Sequence, residues 1–146
     1  MSNKRKILVV DDEEAIVKFL NDALTASGFE TVSAANGKEA VVQTAKERPD
    51  LILLDINMPE MDGLETCSVL RKKPENQNLP IIMLTGRDEE SAIISSLECG
   101  ADDYLAKPFN NDELFKKVNV SLEKAKLGKL PSQLYFQKLA EQKTGR

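Results

Sequence analysis

Residues 50–63 read DLILLDINMPEMDG, and this stretch decides the fold. Residues 51–54 are all Leu or Ile, an unbroken apolar run that predicts a strand covered on both faces. The run ends at Asp55, and the turn-forming Asn57 and Pro59 follow at once. We therefore expect Asp55 at the carboxyl end of a central strand, the edge where open α/β sheets bind ligands. The alternative is that Asp55 only caps a strand and turns the chain.

Apolar runs alternate with amphipathic helical patterns along the rest of the chain. Strands are predicted at residues 7–10, 29–34, 51–54, 80–84 and 104–105. Helices are predicted from residue 15 to Gly28, from a cap at Asn36 to Pro49, at residues 64–73 and 88–99, and from a cap at Asn110 to Gly128. Five strands alternating with five helices predict a doubly wound α/β fold, a parallel sheet with helices on both faces.

Composition sets bounds on the class of protein. The chain has 146 residues, the size of one domain, with 41% hydrophobic and 30% charged residues. A net charge of −4 gives no electrostatic reason to expect binding to nucleic acid or to an anionic membrane. No apolar segment approaches the roughly 20 residues of a membrane helix, and no signal peptide is evident. We therefore expect a cytoplasmic protein.

The counts of histidine and cysteine exclude several kinds of site. The sequence contains no histidine, which excludes His-based triads, His-ligated zinc and histidine phosphocarriers. Cys67 and Cys99 are isolated cysteines within helical patterns. We expect both to be reduced, packed thiols rather than a disulfide or a metal site.

Polar residues stand where four of the predicted strands end. Asp11 and Asp12 follow the first strand, Asp55 ends the third, Thr85 the fourth and Lys107 the fifth. Because a parallel sheet places all its carboxyl ends on one edge, we expect these side chains to converge there. The alternative, a set of unrelated strand caps, accounts less well for three acids, a hydroxyl and an amine.

Three carboxylates in one crevice need positive charge. Two unit charges about 4 Å apart repel by about 4 kcal/mol at an effective dielectric constant of about 20. Lys107 offsets one charge, and an oxygen-only ligand set selects a hard cation such as Mg²⁺. A carboxylate nucleophile beside such a cation, a hydroxyl and a lysine suits phosphoryl transfer, with Asp55 as the nucleophile. Gly86 lets a phosphoryl group come close to Thr85.

These motifs also match a known family. The chain carries Asp11-Asp12, LLDINMPEMDG at 53–63, Thr85-Gly86 and DDYLAKPF at 102–109, in that order. Over about residues 4–126 it resembles the receiver domain of two-component response regulators, the chemotaxis receiver among them. The resemblance implies a flavodoxin-like five-stranded sheet of order 2-1-3-4-5.

The resemblance also implies a role for each residue of the acidic cluster. Asp55 resembles the phosphoacceptor, which takes its phosphoryl group from a sensor histidine kinase, a phosphotransfer protein or a small acyl phosphate. Asp12 resembles a direct Mg²⁺ ligand, Asp11 one that acts through water, and Asn57 one that uses its backbone carbonyl. Glu13 and Glu14 are instead interpreted as acids that favour the start of a helix.

Further roles concern how such a domain signals. Lys107 resembles the amine that pairs with the phosphoryl group, and Lys107-Pro108 the family's cis peptide. Thr85 resembles the switch hydroxyl, and Tyr104 the aromatic switch, which could instead be an aromatic packed in every state. The output surface implied is the fourth helix, last strand and fifth helix, around Ile94, Tyr104 and Phe115. A homodimer through this surface is a further expectation.

The resemblance divides the chain into a receiver domain, residues 4–127, and an extension, residues 128–146, predicted to hold a short helix that acts as a linker or docking segment. The resemblance does not specify the downstream partner, which we expect to be an effector protein or an output domain that this sequence lacks. We expect no enzyme activity beyond the domain's own phosphorylation and dephosphorylation.

The site residues allow two alternatives to a receiver domain. One is a Mg²⁺-dependent phosphohydrolase with an aspartate nucleophile, a class that places two aspartates two residues apart on the first strand. Asp11 and Asp12 are adjacent, which argues against it. The other is a flavodoxin-like binding module with a degenerate site, which the intact set of site residues does not favour.

Overall fold

The computed structural model describes residues 4–86, 94–95 and 98–127. Five strands alternate with helices along it. The strands are β1 (Lys6–Val10), β2 (Glu30–Ala34), β3 (Leu51–Asp55), β4 (Ile81–Thr85) and β5 (Asp103–Ala106). The helices are α1 (Glu14–Ala26), α2 (Gly37–Glu47), α3 (Gly63–Arg71) and the last helix (Asn111–Leu127), with a 3-10 turn at Pro74–Asn76.

The strands form one five-stranded sheet in the order β2-β1-β3-β4-β5, and every pairing is parallel. The predicted doubly wound sheet and its order are confirmed. β3 lies at the centre, and all five of its residues are buried, as the unbroken apolar run of residues 51–54 requires. β2, with its looser pattern, lies at an edge.

Two apolar clusters lie on opposite faces of the sheet, because successive side chains of a strand point to opposite sides. Leu8 and Val10 of β1 pack with residues of α2 and α3. Ile7 and Val9 pack with residues of α1 and the last helix. Each helix therefore buries one apolar stripe against the sheet, and the sheet is covered on both faces.

The helix starts were largely predictable from capping residues. Asn36 Oδ1 accepts a hydrogen bond from the Glu39 amide at 2.8 Å, and Asn110 Oδ1 accepts one from the Glu113 amide at 2.9 Å. Both predicted caps are confirmed. Asp62 caps α3 in the same way and was not predicted in this role.

Some predicted details differ from the structure. The described residues contain four α-helices rather than five, because most of the helix predicted at 88–99 lies outside them; Ile94, Ser95 and Glu98 are helical. The polar connection after α3 forms a 3-10 turn that buries Asn76. Phe19, whose spacing from Leu20, Ala23 and Leu24 is that of one helix face, is 44% exposed. Its ring packs at the rim, with its centroid 6.1 Å from that of Phe109.

Candidate functional site

The sheet register brings the polar strand ends to one edge. Val10 pairs with Leu54, which places Asp11 and Asp12 beside Asp55 at the end of β3. Asp55 pairs with Leu84, the residue before Thr85. Thr85 pairs with Ala106, the residue before Lys107. The polar side chains thus leave neighbouring strands within two register positions of one another.

Three carboxylates form the centre of the site. One oxygen from each of Asp11, Asp12 and Asp55 lies within 4.8 Å of the other two. Asp11 is 1% exposed and Asp55 3%, whereas Asp12 is exposed. An open groove of about 440 Å³ beside Asp11 and Asp12, bordered by α1 and the start of α2, connects the acids to solvent. The site therefore has a buried floor and one solvent-facing side.

Lys107 is the cation that partly neutralises this cluster. Its Nζ lies 2.9 Å from Asp11 Oδ2 and 3.4 Å from Asp55 Oδ1. Its Nζ also lies 3.7 Å from Glu13 Oε1. One ammonium thus serves three acids, and Asp12, the exposed member of the cluster, is not among them.

Burial and charge shift the acidity of two groups in opposite ways. Burial raises the pKa of Asp55 to about 7, and the neighbouring charge of Asp11 adds to the rise. Lys107 and the Asn57 backbone oppose that rise. Burial tends to lower the pKa of Lys107, but its hydrogen bond to Asp11 and the charges of both buried acids raise it overall. Lys107 therefore stays charged, while Asp55 binds a proton far more readily than an ordinary aspartate.

Thr85 is fully buried at the end of β4, 0% exposed. Its Oγ1 has no hydrogen-bond partner among the described residues. A buried hydroxyl without a partner costs about 1–3 kcal/mol in protein mutational data. The hydroxyl is thus available to a ligand that presents an acceptor oxygen at this edge of the sheet.

The loop after β3 is held tightly against the strand. The Gly63 amide donates to the Ile56 carbonyl at 2.8 Å, which closes the loop over residues 57–62. A Cβ at position 63 would overlap the backbone carbonyl of Asp55. Asn57 is exposed within this loop, and its backbone interacts with the Asp55 carboxylate. Gly63 is therefore required by the close approach of α3 to the end of β3.

The predicted switch aromatic lies near a second ion pair. Tyr104 is partly buried and packs against the cluster under α2 and α3. The Lys117 Nζ lies 4.4 Å from the centroid of the Tyr104 ring and 3.0 Å from Asp103 Oδ1. Ile94 is 58% exposed, whereas Phe115 packs against the opposite cluster. Tyr104 is thus joined to the last helix through Lys117.

The contact between Glu13 and Lys107 was missed at the level of sequence. Glu13 was interpreted only as a helix N-terminal acid, yet its side chain, 64% exposed, reaches the site lysine. An acid directly after the Asp11-Asp12 pair was the one available signal. The structure also gives Lys107-Pro108 a cis peptide bond, as the resemblance implied.

The residues of the acidic cluster fit a magnesium ion. All the available ligands are carboxylate or backbone oxygens, and the three carboxylates lie close enough to share one cation. Magnesium takes one or two carboxylates and keeps several waters, which suits one exposed and two buried acids. Among the described residues, the buried Asp11 and Asp55 share one neighbouring ammonium, that of Lys107, so a further cation would relieve their repulsion.

The comparison with known families agrees with this geometry. The model of the response regulator receiver domain matches residues 7–119. The chain belongs to this family. Receiver domains are signalling modules of two-component systems, generally bind Mg²⁺ at this acidic pocket and act with histidine kinases. The predicted family and its role as a phosphorylation-dependent signalling switch are confirmed.

Similar proteins include longer transcriptional regulators. The chain is 42% identical over 130 residues to the alkaline phosphatase synthesis transcriptional regulatory protein PhoP of Bacillus subtilis, covering 89% of this chain and 53% of PhoP. It is 46% identical over 121 residues to the phosphate regulon transcriptional regulatory protein PhoB of Rhizobium meliloti, covering 83% of this chain and 53% of PhoB. The receiver thus spans about half the length of these relatives.

Solved structures show the same architecture. The chemotaxis protein CheY4 of Vibrio cholerae superposes with a TM-score of 0.77 at 34% identity, covering 81% of this chain and 98% of CheY4. The receiver domain of NtrX from Brucella abortus superposes with a TM-score of 0.76 at 32% identity, covering 80% of this chain and 98% of that domain.

Among the described residues, no helix combines the length and apolar character needed to cross a membrane.

Proposed function

We propose that Asp55 is the phosphoacceptor of this receiver domain and that its phosphorylation depends on Mg²⁺. The observation that carries this assignment is the position of its carboxylate. Asp55 is the one buried acid that ends the central strand, and it lies next to both the acidic cluster and Lys107. A nucleophile there is held by the sheet itself, close to the groove that opens to solvent beside Asp11 and Asp12.

Asp11, Asp12, Asp55 and the Asn57 backbone carbonyl would hold the magnesium ion. The resemblance assigns direct contact to Asp12 and contact through water to Asp11. When bound, Mg²⁺ supplies positive charge that offsets the negative oxygens of the transferring phosphoryl group. It also favours the ionised form of Asp55, whose pKa burial raises to about 7.

The transfer itself requires two of the chain's own groups. A carboxylate oxygen of Asp55 attacks phosphorus in line, while the bond from phosphorus to the donor's leaving atom breaks; that atom is a ring nitrogen of a phosphohistidine or the acyl oxygen of a small acyl phosphate. Lys107 pairs with a phosphoryl oxygen, since its ammonium already lies 3.4 Å from the Asp55 oxygen. The product is an acyl phosphate on Asp55.

Thr85 and Tyr104 would convert this event into a change of surface. The partnerless hydroxyl of Thr85 gains an acceptor when a phosphoryl oxygen arrives. Thr85 pairs with Ala106 on β5, and Tyr104 lies two residues earlier on the same strand. Movement of Thr85 would therefore displace the part of β5 that carries the tyrosine ring. The output surface would comprise the residue 94 region, β5 and the last helix.

The partners follow from the family and the site. The phosphoryl donor would be a sensor histidine kinase, a phosphotransfer protein or a small acyl phosphate, and the domain would work in the cytoplasm. The receiver domain would comprise residues 4–127. Residues 128–146, which lie outside the described residues, would act as a linker or docking segment. We further propose homodimerisation through the output surface, with an unidentified effector or output domain carrying the response and no direct contact of this chain with nucleic acid.

The test is intact-mass measurement after incubation with acetyl phosphate and Mg²⁺. The wild-type chain is expected to gain one phosphoryl group, and Asp55→Asn to gain none, because its amide is not a nucleophile. EDTA should abolish the gain. Asp50→Asn, outside the site, serves as the matched control and should label like wild type. Equal labelling of Asp55→Asn and wild type would refute the assignment.

The phosphohydrolase alternative is not favoured, because the chain matches the receiver family over residues 7–119. We propose that its catalysis is limited to its own phosphorylation and dephosphorylation. Steady release of phosphate from a small phosphate ester, undiminished in Asp55→Asn, would contradict this.

A further inference from the structure

Two cysteines lie in contact on the side of the molecule where α3 meets the segment leading into β5. Cys67 is fully buried in the middle of α3, and Cys99 is partly buried against the same cluster. The Cys67 Sγ donates to the Cys99 carbonyl oxygen at 3.6 Å, and the Cys99 thiol lies close enough to contribute to the raised pKa of Cys67. Residues 32 positions apart in sequence are thus brought together as two thiols that are not joined by a disulfide.

Arg71 holds the two segments in this arrangement. It lies one turn after Cys67 on α3, and its Nε donates to the Gly100 carbonyl at 2.8 Å. Its Nη2 lies 2.8 Å from Asp102 Oδ2, so the guanidinium also binds the chain three residues after Cys99. Gly100 has φ 105°, and a Cβ there would come within 3.0 Å of Arg71 Cγ. The position of Cys99 relative to α3 is therefore fixed by the turn that follows it.

We propose that Cys67 and Cys99 form a peroxide-sensitive dithiol that closes to an intramolecular disulfide. Neither residue belongs to the acidic site. Sequence patterns suggested only two separate packed thiols, because the pairing arises from contact between distant segments. Disulfides that form in a reducing compartment are typically transient and redox-sensing, which is the role that this pair would take.

The chemistry proceeds in two steps from a peroxide. The Cys99 sulfur, the more accessible of the two, attacks one peroxide oxygen and breaks the O–O bond, giving a sulfenic acid and one water from hydrogen peroxide. The Cys67 sulfur then attacks the Cys99 sulfur, forms the S–S bond and releases the hydroxyl, which leaves as water with the Cys67 proton. Two thiols are oxidised, one peroxide is reduced, and two waters form.

The environment of Cys67 affects the rates of both closure and reopening. Burial raises the pKa of the Cys67 thiol to about 12, with a further contribution from Cys99. Because the thiolate is the attacking species, closure should be slow compared with that of an ordinary exposed dithiol. Burial of the Cys67 sulfur should also slow attack by external thiols, so the disulfide should reopen slowly.

A disulfide here would tie the middle of α3 to the end of the 88–99 segment. It would restrain the face proposed to change on phosphorylation, a consequence that rests on the proposed function. Formation of the disulfide itself does not rest on that function. It is measured on protein that has not been phosphorylated, so the two proposals can fail separately.

The test uses the full 146-residue chain, reduced, freed of reductant and treated with graded hydrogen peroxide before alkylation. Non-reducing intact mass is expected to show a monomer lighter by about 2 Da that no longer alkylates and regains both sites with dithiothreitol. Peptide mapping should link Cys67 to Cys99. Cys99→Ser, which leaves the buried cysteine in place, should show no such loss of mass.

Cys67→Ala supplies the second arm, because it leaves Cys99 without a resolving partner. It should accumulate a sulfenic acid, about 16 Da heavier, that a dimedone probe captures at Cys99. Wild-type protein that keeps two alkylatable thiols at peroxide levels that oxidise Cys99 in this variant would overturn the proposal. Oxidation of wild type only to a dimer linked through Cys99 would overturn it as well.

Discussion

Thr85 and Thr44 are both buried threonines, but they differ in one respect. The Thr44 Oγ1 donates to the Ala40 carbonyl at 2.7 Å, whereas the Thr85 hydroxyl has no partner among the described residues. We predict that Thr85→Val, which replaces a hydroxyl with a methyl of similar size, raises the free energy of unfolding by about 1 kcal/mol. Urea denaturation without phosphodonor measures the change.

Thr44→Val is the matched control and should lower the free energy of unfolding by about 1 kcal/mol, because it removes a satisfied hydrogen bond.

Thr85→Val should also accept a phosphoryl group yet lose the phosphorylation-dependent amide shifts near Tyr104. A Thr85→Val protein less stable than wild type would show that the hydroxyl is bonded in the folded state.

Asp55 should make the stability of the folded protein depend on pH. Its pKa is raised from 3.8 to about 7 on folding, so between these values the folded state binds a proton that the unfolded chain has released. Stability should therefore fall as pH rises from about 4 to 7 and level off above that, when Mg²⁺ is absent. Each unit of pKa shift corresponds to about 1.4 kcal/mol.

The effect of Asp55 is isolated by the Asp55→Asn substitution, which removes the charge and the titration together. In EDTA we expect the variant to be more stable than wild type by on the order of 2 kcal/mol at pH 8, and by much less at pH 5. Thermal unfolding at the two pH values measures this. A gain that is equal at both pH values would rule out titration of Asp55 as its source.

At the scale of elements, the joint between β3 and α3 determines where the carboxylate of Asp55, the proposed nucleophile, lies. Because a Cβ at position 63 would overlap the Asp55 carbonyl, Gly63→Ala must move the loop or the start of α3. We predict a loss of about 1–3 kcal/mol of stability together with at least a tenfold slower phosphorylation by acetyl phosphate. Stopped-flow labelling and urea denaturation measure the two effects.

Gly28→Ala is the comparison variant, since it changes a glycine remote from the site. Its φ of 94° strains an alanine, but no atom lies within 4 Å of the added Cβ. A loss of about 1 kcal/mol with an unchanged labelling rate is expected. If Gly63→Ala also labels at the wild-type rate, the close approach of α3 does not position Asp55.

A second joint, made by Arg71, connects α3 to the 3-10 turn at Pro74–Asn76 and to the turn before β5. Its guanidinium donates to the carbonyls of Asn76 and Gly100 and pairs with Asp102. We predict that Arg71→Lys costs about 2 kcal/mol, because a lysine cannot span these partners. Lys72→Arg, a neighbouring change in the opposite direction, should be nearly neutral. Equal stabilities of Arg71→Lys and wild type in urea would show that Arg71 does not join these segments.

Local sequence predicted most of the elements, because the information needed was local. β1, β3 and β4 are apolar runs, and Asn36 and Asn110 cap their helices within three residues. The features that local sequence patterns did not predict depend on contacts with residues outside the local pattern. Phe19 has the spacing of a core residue, but its ring packs beside Phe109 at the rim. Asn76 is buried because its side chain donates to the Leu70 carbonyl.

For the whole molecule, one topological rule located the site. In a parallel sheet, polar residues that follow the strands converge at the edge formed by the carboxyl ends of the strands. The sequence alone therefore predicts that Asp11, Asp55 and Lys107 lie together. The rule does not predict the contacts of side chains that lie away from the strand ends. It could not show that Glu13 reaches Lys107, or that Cys67 lies against Cys99.

The central claim is that one carboxylate of this molecule, Asp55, takes the phosphoryl group. Borohydride reduces an acyl phosphate but not a free carboxylate, so reduction after acetyl phosphate and Mg²⁺ treatment, followed by peptide mass mapping, marks the residue that carried it. We predict a single mark at Asp55, absent when Mg²⁺ is removed. A mark at Asp11 or Asp12 in its place, or labelling indifferent to Mg²⁺, would contradict the account.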